Sequence, residues 1–247
     1  LRSAGFSEED IRDRVRKLAF AIFDEIAARQ GKSRWAAKTA VDSFYLPEIE
    51  RLYSKDAKFI CLTRHALDAA LSLYDLSEAN EIYIKELHDY ISRFPRPLEA
   101  YAHAWCDVTK GLLDFANRNS ANTMLVRYED LVDDPLALCE SIFGFLDEAW
   151  DPEILVQALA TENVDGLGDW KIYGRPVIDT SSVDRWKNLR PDVISRLGRI
   201  VNSQLTDSGY DAVPVAPLPD HDKAMHRYEL TMRLSRARSN PDDPDDR

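Results

Sequence analysis

The sequence predicts an α/β fold in which a mostly parallel β-sheet is flanked by helices. Two short apolar runs, at 57–63 and 123–128, lack the polar alternation of half-exposed strands. Such runs are typical of strands that are covered on both faces in a parallel sheet. Helical patterns lie before and after both runs, and this alternation favours right-handed crossovers between parallel strands. We therefore expect ligands to bind beyond the carboxyl ends of the strands.

Helices account for most of the remaining chain. The first begins after Ser7, where S-E-E-D is typical of an N-cap, and it ends at Gln30-Gly31. Pro97 and Pro135 are each placed to begin a helix. Further helical patterns cover 43–54, 66–75, 80–118, 191–206 and 220–237.

The remaining segments are less regular. A brief strand is expected to end at Lys38, and 161–190 is interpreted as a long functional loop. We expect one folded domain over 1–212, followed by a tail over 213–247 that carries a helix and a disordered acidic end.

Composition limits the classes of protein and partner. The 247 residues are 45% hydrophobic, enough for a sizeable core, and no apolar run reaches the ~18 residues that cross a bilayer. Because the first residues also lack a signal peptide, we expect a cytoplasmic protein without a membrane partner. The net charge of -11 argues against a nucleic-acid partner. Cys61, Cys106 and Cys139 lack metal-ligand spacing and are interpreted as buried free thiols.

Arg64 directly follows the first apolar strand, and Ser72 lies eight residues later in the next helix. An arginine at the carboxyl edge of a sheet offers paired donors to a phosphate, and helix amides add partial positive charge. The alternative is structural, with Arg64 paired to Asp68 or to another carboxylate at the strand end. Both interpretations remain open from the residues alone.

The second strand ends in the motif VRYEDLVDDP at 126–135. Tyr128 either packs against the sheet edge or stacks on a nucleotide base. We expect Glu129 and Asp130 to fix the turn by accepting hydrogen bonds from the backbone or from arginine, and the later acids to cap the next helix.

Three segments together carry a family resemblance: KFICLTRHALDAALSLYDL, VRYEDLVDDPLALCESIFGFLDEAWDPEIL and SSVDRWKN. In this order and at these separations they resemble sulfotransferases that use 3′-phosphoadenosine 5′-phosphosulfate (PAPS), in particular bacterial members related to the tyrosine-protein and natural-product types. The resemblance covers about residues 8–212. It implies a P-loop-NTPase-like parallel sheet and in-line sulfuryl transfer from PAPS to a hydroxyl acceptor, without a metal.

The resemblance also implies roles for individual residues. Arg64 and Ser72 match the pair that holds the 3′-phosphate of PAPS, and Tyr128 matches an aromatic residue on the adenine side. Lys171 and Arg185 lie in segments that match a late nucleotide-binding loop, so both are candidate phosphate contacts, with Trp186 as a packing or lid residue. Lys38 matches a catalytic lysine that stabilises charge on the leaving phosphate.

Two departures from the family pattern concern the chemistry. Ala40 stands where some members carry a catalytic histidine, and a glycine-rich loop of the P-R-S-G-T-T kind is missing. We therefore expect the sheet to lack its first strand and loop, and an amino-terminal piece to lie upstream of Leu1. The general base that removes the acceptor proton is then Asp42, His65 or an upstream acid.

Two other functions remain open. A P-loop-like small-molecule kinase would need a G-x-x-x-x-G-K-S/T loop, which this sequence lacks. A non-catalytic remnant of the same fold would bind a nucleotide or a partner. For the enzyme, the acceptor is expected to be a small-molecule or carrier-bound hydroxyl, and a homodimer is an open expectation.

Overall fold

The computed structural model describes residues 5–53, 57–81, 83–160, 178–217 and 221–239. The chain is a mixed α/β protein, mostly helical with a small parallel sheet, as predicted. In chain order the described elements are α1 (Glu8–Arg29), α2 (Leu46–Tyr53), β1 (Phe59–Thr63), α3 (Ala66–Asn80), α4 (His88–Arg93), α5 (Pro97–Arg118), β2 (Thr123–Arg127), α6 (Tyr128–Asp133), α7 (Pro135–Leu146), α8 (Glu153–Ala160), α9 (Pro191–Asp207) and α10 (His221–Ser239).

Local signals in the sequence set several helix ends. Ser7 forms a complete capping box with Asp10 at the start of α1. Pro97 and Pro135 lie in the first turns of α5 and α7, where a missing N–H costs nothing. The helix after β1 is longer than predicted and continues to Asn80, where Glu81 adopts a left-handed conformation and ends it.

The two strands pair in parallel, from Phe59 beside Thr123 to Thr63 beside Arg127. Because this register is level, both strands end at the same edge of the sheet. The residues that follow them, Arg64 and Tyr128, are therefore neighbours in space.

Helix α5 is the centre of the core. It packs against α3 and α9 through a buried cluster that includes Leu67, Trp105 and Val201. At its other end, Phe115 packs edge-on against Phe59, with ring centroids 5.0 Å apart. The face of β1 that carries Phe59 and Cys61 is thus covered by α5.

The opposite face of β1 differs from the prediction. Ile60 and Leu62 are 42% and 51% exposed, so the expectation that this strand is covered on both faces is wrong within the described residues. An apolar run records which side chains a strand carries, but the elements that cover it come from distant parts of the chain.

The strand predicted to end at Lys38 is also not formed. Residues 34–39 are irregular. In this segment, Arg34 donates a hydrogen bond of 2.8 Å to the carbonyl of Leu146 at the end of α7 and forms an ion pair with Glu148.

The chain divides into two compact units, Leu1–Val213 and Pro214–Arg247. The first contains β1, β2 and helices α1 to α9, and the second contains α10. No helix in the described ranges is long and apolar enough to cross a membrane. The predicted disordered end, 240–247, and most of the predicted 161–190 loop lie outside the described residues.

Candidate anion site at the carboxyl edge of the sheet

Arg64 and Tyr128 meet at the carboxyl edge of the sheet. The guanidinium carbon of Arg64 lies 4.4 Å from the centroid of the Tyr128 ring, which is within the range of a cation–π contact. Tyr128 is the first residue of α6, directly after β2. The backbone of Arg64 is also held, because the indole N–H of Trp105 donates to its carbonyl at 3.0 Å.

Glu129 ties the two strand ends together. One carboxylate oxygen accepts the backbone N–H of His65 at 2.9 Å, and the other accepts the hydroxyl of Tyr210 at 2.9 Å. Glu129, which follows Tyr128 at the end of β2, is therefore bonded to His65 at the end of β1 and to Tyr210 in the segment after α9. This is the backbone-accepting role expected of an acid at this position.

A loop at 182–188, hereafter the 182–188 loop, lies along α3. The carbonyl of Ser182 accepts from Nη2 of Arg64 at 2.5 Å. Asp68, which is 0% exposed, accepts the backbone N–H groups of Asp184 and Trp186 at 2.8 and 2.9 Å.

The side chain of Arg185 attaches the same loop further along α3, where it pairs with Asp75 at 2.8 Å. On a helix, positions 68, 72 and 75 share one face, since they are spaced by four and three residues. Ser72, which is half-buried, therefore lies on the face that the loop covers, between the two acids.

Within the described residues, the structure does not contain the alternative proposed for Arg64, an ion pair with Asp68. No ion pair joins Arg64 to Asp68 in the described part of the chain, and both oxygens of Asp68 accept loop amides. Ser72 also makes no hydrogen bond to Arg64 among these residues, so the shared face of α3 is what relates the two.

Burial shifts the pKa of two groups beside Arg64. It raises the pKa of Asp68, while the two loop amides and the charges of His65 and Arg64 act in the opposite direction. It lowers the pKa of His65, against the opposing charges of Asp68 and Glu129. The His65 ring is 9% exposed and stacks on Trp186, with centroids 5.1 Å apart.

Several buried nitrogens at this edge have no hydrogen-bond partner among the described residues: Nε of Arg64, Nδ1 of His65 and Nε1 of Trp186. A buried donor without a partner costs about 1–3 kcal/mol. Arg64 and Trp186 offer N–H groups in every state, and His65 offers one when its tautomer places the proton on Nδ1. Donors without acceptors fit a ligand that carries anionic oxygens, such as a phosphate.

Of the other predicted site residues, the structure describes Lys38 and Asp42 but not Lys171. Lys38 is exposed, and Asp42 is half-buried in a 3₁₀ turn, Ala40–Phe44. Phe44 anchors that turn against the cluster of α3 and α5. No hydrogen bond or ion pair within the described ranges links Lys38 or Asp42 to Arg64, and Lys171 lies outside the described residues.

Sequence reasoning did not identify Asp68 as the acceptor for a distant loop, nor Tyr210 as a partner of Glu129. Asp68 had a visible signal, because an acid in the apolar pattern of α3 needs a partner once it is buried. Tyr210 had none, since nothing local relates it to the strand ends.

The small parallel sheet, with Arg64 directly after β1 and helix α3 leading away from it, defines a mixed α/β protein. The sequence matches the sulfotransferase family over residues 2–152. The match covers more than half of the chain, so the protein belongs to the sulfotransferase family.

A comparison with solved structures found two similar sulfotransferase domains, and the first of these supports the fold. The sulfotransferase domain of the Synechococcus PCC 7002 olefin synthase is similar, with a TM-score of 0.52 and 23% identity over 75% of this chain and 65% of that one. The sulfotransferase domain from the curacin biosynthetic pathway gives a TM-score of 0.48 and 21% identity, over 70% and 62%. The chain thus spans less than two thirds of either structure. A comparison with curated proteins gave no significant match.

Proposed function

We propose that the protein transfers a sulfuryl group from PAPS to a hydroxyl acceptor. The observation that carries the proposal is the environment of Arg64: a guanidinium at the carboxyl edge of the sheet, against an aromatic ring, with a buried Nε that has no partner among the described residues. Membership of the sulfotransferase family supports sulfuryl transfer in general. The choice of PAPS as donor rests on the fit of this edge to a phosphate.

The residues at this edge fit the 3′-phosphate of such a donor. Arg64 would supply paired N–H donors, and Ser72 a hydroxyl from the covered face of α3. Arg185 would contribute a second cation on exchanging Asp75 for the phosphate. Tyr128 would orient the Arg64 guanidinium and contact the adenine side, and Lys171 would add a phosphate contact.

The donor would supply the activated sulfuryl group, and the chain's own residues would manage charge and protons. Lys38 would stabilise the charge that develops on the leaving phosphate. A base would take the hydroxyl proton of the acceptor as its new S–O bond forms. Of the two candidates in this chain, Asp42 is more accessible, since the His65 ring is enclosed by Trp186 and Tyr210.

Binding of adenosine 3′,5′-bisphosphate, compared with adenosine 5′-monophosphate by calorimetry, tests the donor site. We expect the bisphosphate to bind at least 10-fold more tightly, and Arg64→Ala to remove most of that difference. Arg118→Ala is the matched control, because Arg118 is paired with Glu50 at 2.9 Å on another part of the domain. Equal affinity of the wild type for both nucleotides would refute the assignment.

Turnover is tested separately, with ³⁵S-labelled PAPS and a panel of phenolic and alcoholic acceptors. Label transfer that depends on Lys38 would support the enzyme. Tight bisphosphate binding without transfer to any acceptor would favour the non-catalytic nucleotide-binding alternative.

A further inference from the structure

We propose that Asp68 is a positioning residue that holds the 182–188 loop on α3 and thereby fixes the guanidinium of Arg64 for the phosphate. Asp68 itself does not touch the ligand. The attachment of the loop stands on geometry alone, while its consequence for phosphate binding rests on the function proposed above.

The contact between Asp68 and the loop is specific. The carboxylate is fully buried, and its two oxygens accept two different backbone N–H groups, from Asp184 at 2.8 Å and Trp186 at 2.9 Å. A carboxylate can accept at both oxygens, whereas an asparagine amide has only one oxygen and would turn its own N–H groups toward the second donor. Only an acid therefore satisfies both amides of this loop.

The contact with Asp68 also restrains a loop residue that has an uncommon backbone conformation. Asp184 has φ 60° and ψ 15°, in the left-handed region that residues other than glycine adopt rarely. The bond from its N–H to Asp68 holds this residue in place. The ion pair of Arg185 with Asp75 and the stacking of Trp186 on His65 attach the loop through its side chains, and the Ser182 carbonyl attaches it to Arg64.

The loop acts on Arg64 through the carbonyl of Ser182, which accepts Nη2 at 2.5 Å. On its other side the guanidinium lies against the Tyr128 ring. These two contacts leave Nε without a partner in the described ranges. If the loop leaves α3, Arg64 loses one of the two contacts that set the direction of its donors, and a flexible arginine binds phosphate less tightly.

Hydrogen exchange of the ligand-free chain tests the attachment. We expect slow exchange in the peptide that contains the amides of Asp184 and Trp186, and at least 10-fold faster exchange there in Asp68→Asn. Asp68→Glu keeps the charge but displaces it, and should give an intermediate rate. Glu50→Gln is the matched control, because Glu50 accepts hydrogen bonds from Arg118 and Asn119 and should leave the loop unchanged. Unchanged loop exchange in Asp68→Asn, with the fold verified by circular dichroism, would overturn the proposal.

A double-mutant cycle on adenosine 3′,5′-bisphosphate affinity separates positioning from a general structural role. We expect Asp68→Asn to weaken binding about 10-fold when Arg64 is present, and less than 2-fold in the Arg64→Ala background. Equal losses in both backgrounds would mean that Asp68 does not act through Arg64. If the wild type binds no bisphosphate, the proposed function fails and the link to phosphate fails with it, while the exchange rates still decide the loop attachment.

Discussion

Glu129→Ala should destabilise the domain by about 3–4 kcal/mol. The side chain is half-buried and accepts the backbone N–H of His65 and the hydroxyl of Tyr210, both at 2.9 Å. Each of the two hydrogen bonds is made to a charged group and contributes about 1.5–3 kcal/mol. Because the side chain is partly exposed, we expect a loss near the lower end of the sum for the two bonds. The loss is not recovered, because alanine leaves both donors without their acceptor at the point where the strand ends meet.

Urea denaturation followed by tryptophan fluorescence measures this loss, with Glu140→Ala on the exposed side of α7 as the control. Tyr210→Phe should remove only one of the two bonds and cost about 1.5 kcal/mol, and the double mutant should be less destabilised than the sum. A Glu129→Ala midpoint that corresponds to less than 0.5 kcal/mol, or full additivity with Tyr210→Phe, would refute the bridging role.

Three further results are expected. Burial lowers the pKa of His65 from its ordinary value of 6.5. Below pH 6.5 the unfolded chain therefore binds more protons than the folded chain, so the melting temperature should fall from pH 7 toward pH 5. The fall should be less steep in His65→Phe, and equal slopes would contradict this. Burial raises the pKa of Cys61 and Cys106 to about 11, so a thiol reagent at pH 8 should label Cys139 first in the native protein, and Cys139→Ser should lose the fastest phase. Asp75→Asn removes the partner of the loop arginine and should tighten adenosine 3′,5′-bisphosphate binding by about 2–5-fold, measured by calorimetry, the range expected for a partly exposed ion pair; weaker binding would mean that this acid supports the site.

Most of the fold could be predicted because its signals are local. The Ser7 capping box and the prolines at 97 and 135 mark helix starts through the hydrogen bonds that each residue makes or lacks. Strand partners are not local, and this explains the two errors in the strand predictions. The apolar run at 57–63 does not say what covers Ile60, and the stretch before Lys38 does not say whether a neighbouring strand exists.

The meeting of Arg64 and Tyr128 could be predicted for the same kind of reason. Each residue directly follows a parallel strand, so the level register of the sheet brings both to one edge without any further information. The 182–188 loop could not be placed in this way. Its contacts with α3 join residues 116 and 118 positions apart, and no sequence periodicity extends over such a separation.

The covered face of α3 shows why two similar acids should act in opposite directions on one ligand. Asp68 and Asp75 are seven residues apart, hence on the same face, and both hold the 182–188 loop. Asp68 accepts backbone N–H groups, which a phosphate at Arg64 does not need, so its bonds persist when the ligand binds and keep the loop in place. Asp75 instead occupies the guanidinium of Arg185, the group that a phosphate would need, so it competes with the ligand. The atom to which each carboxylate binds, rather than its charge, therefore decides whether its removal weakens or strengthens anion binding.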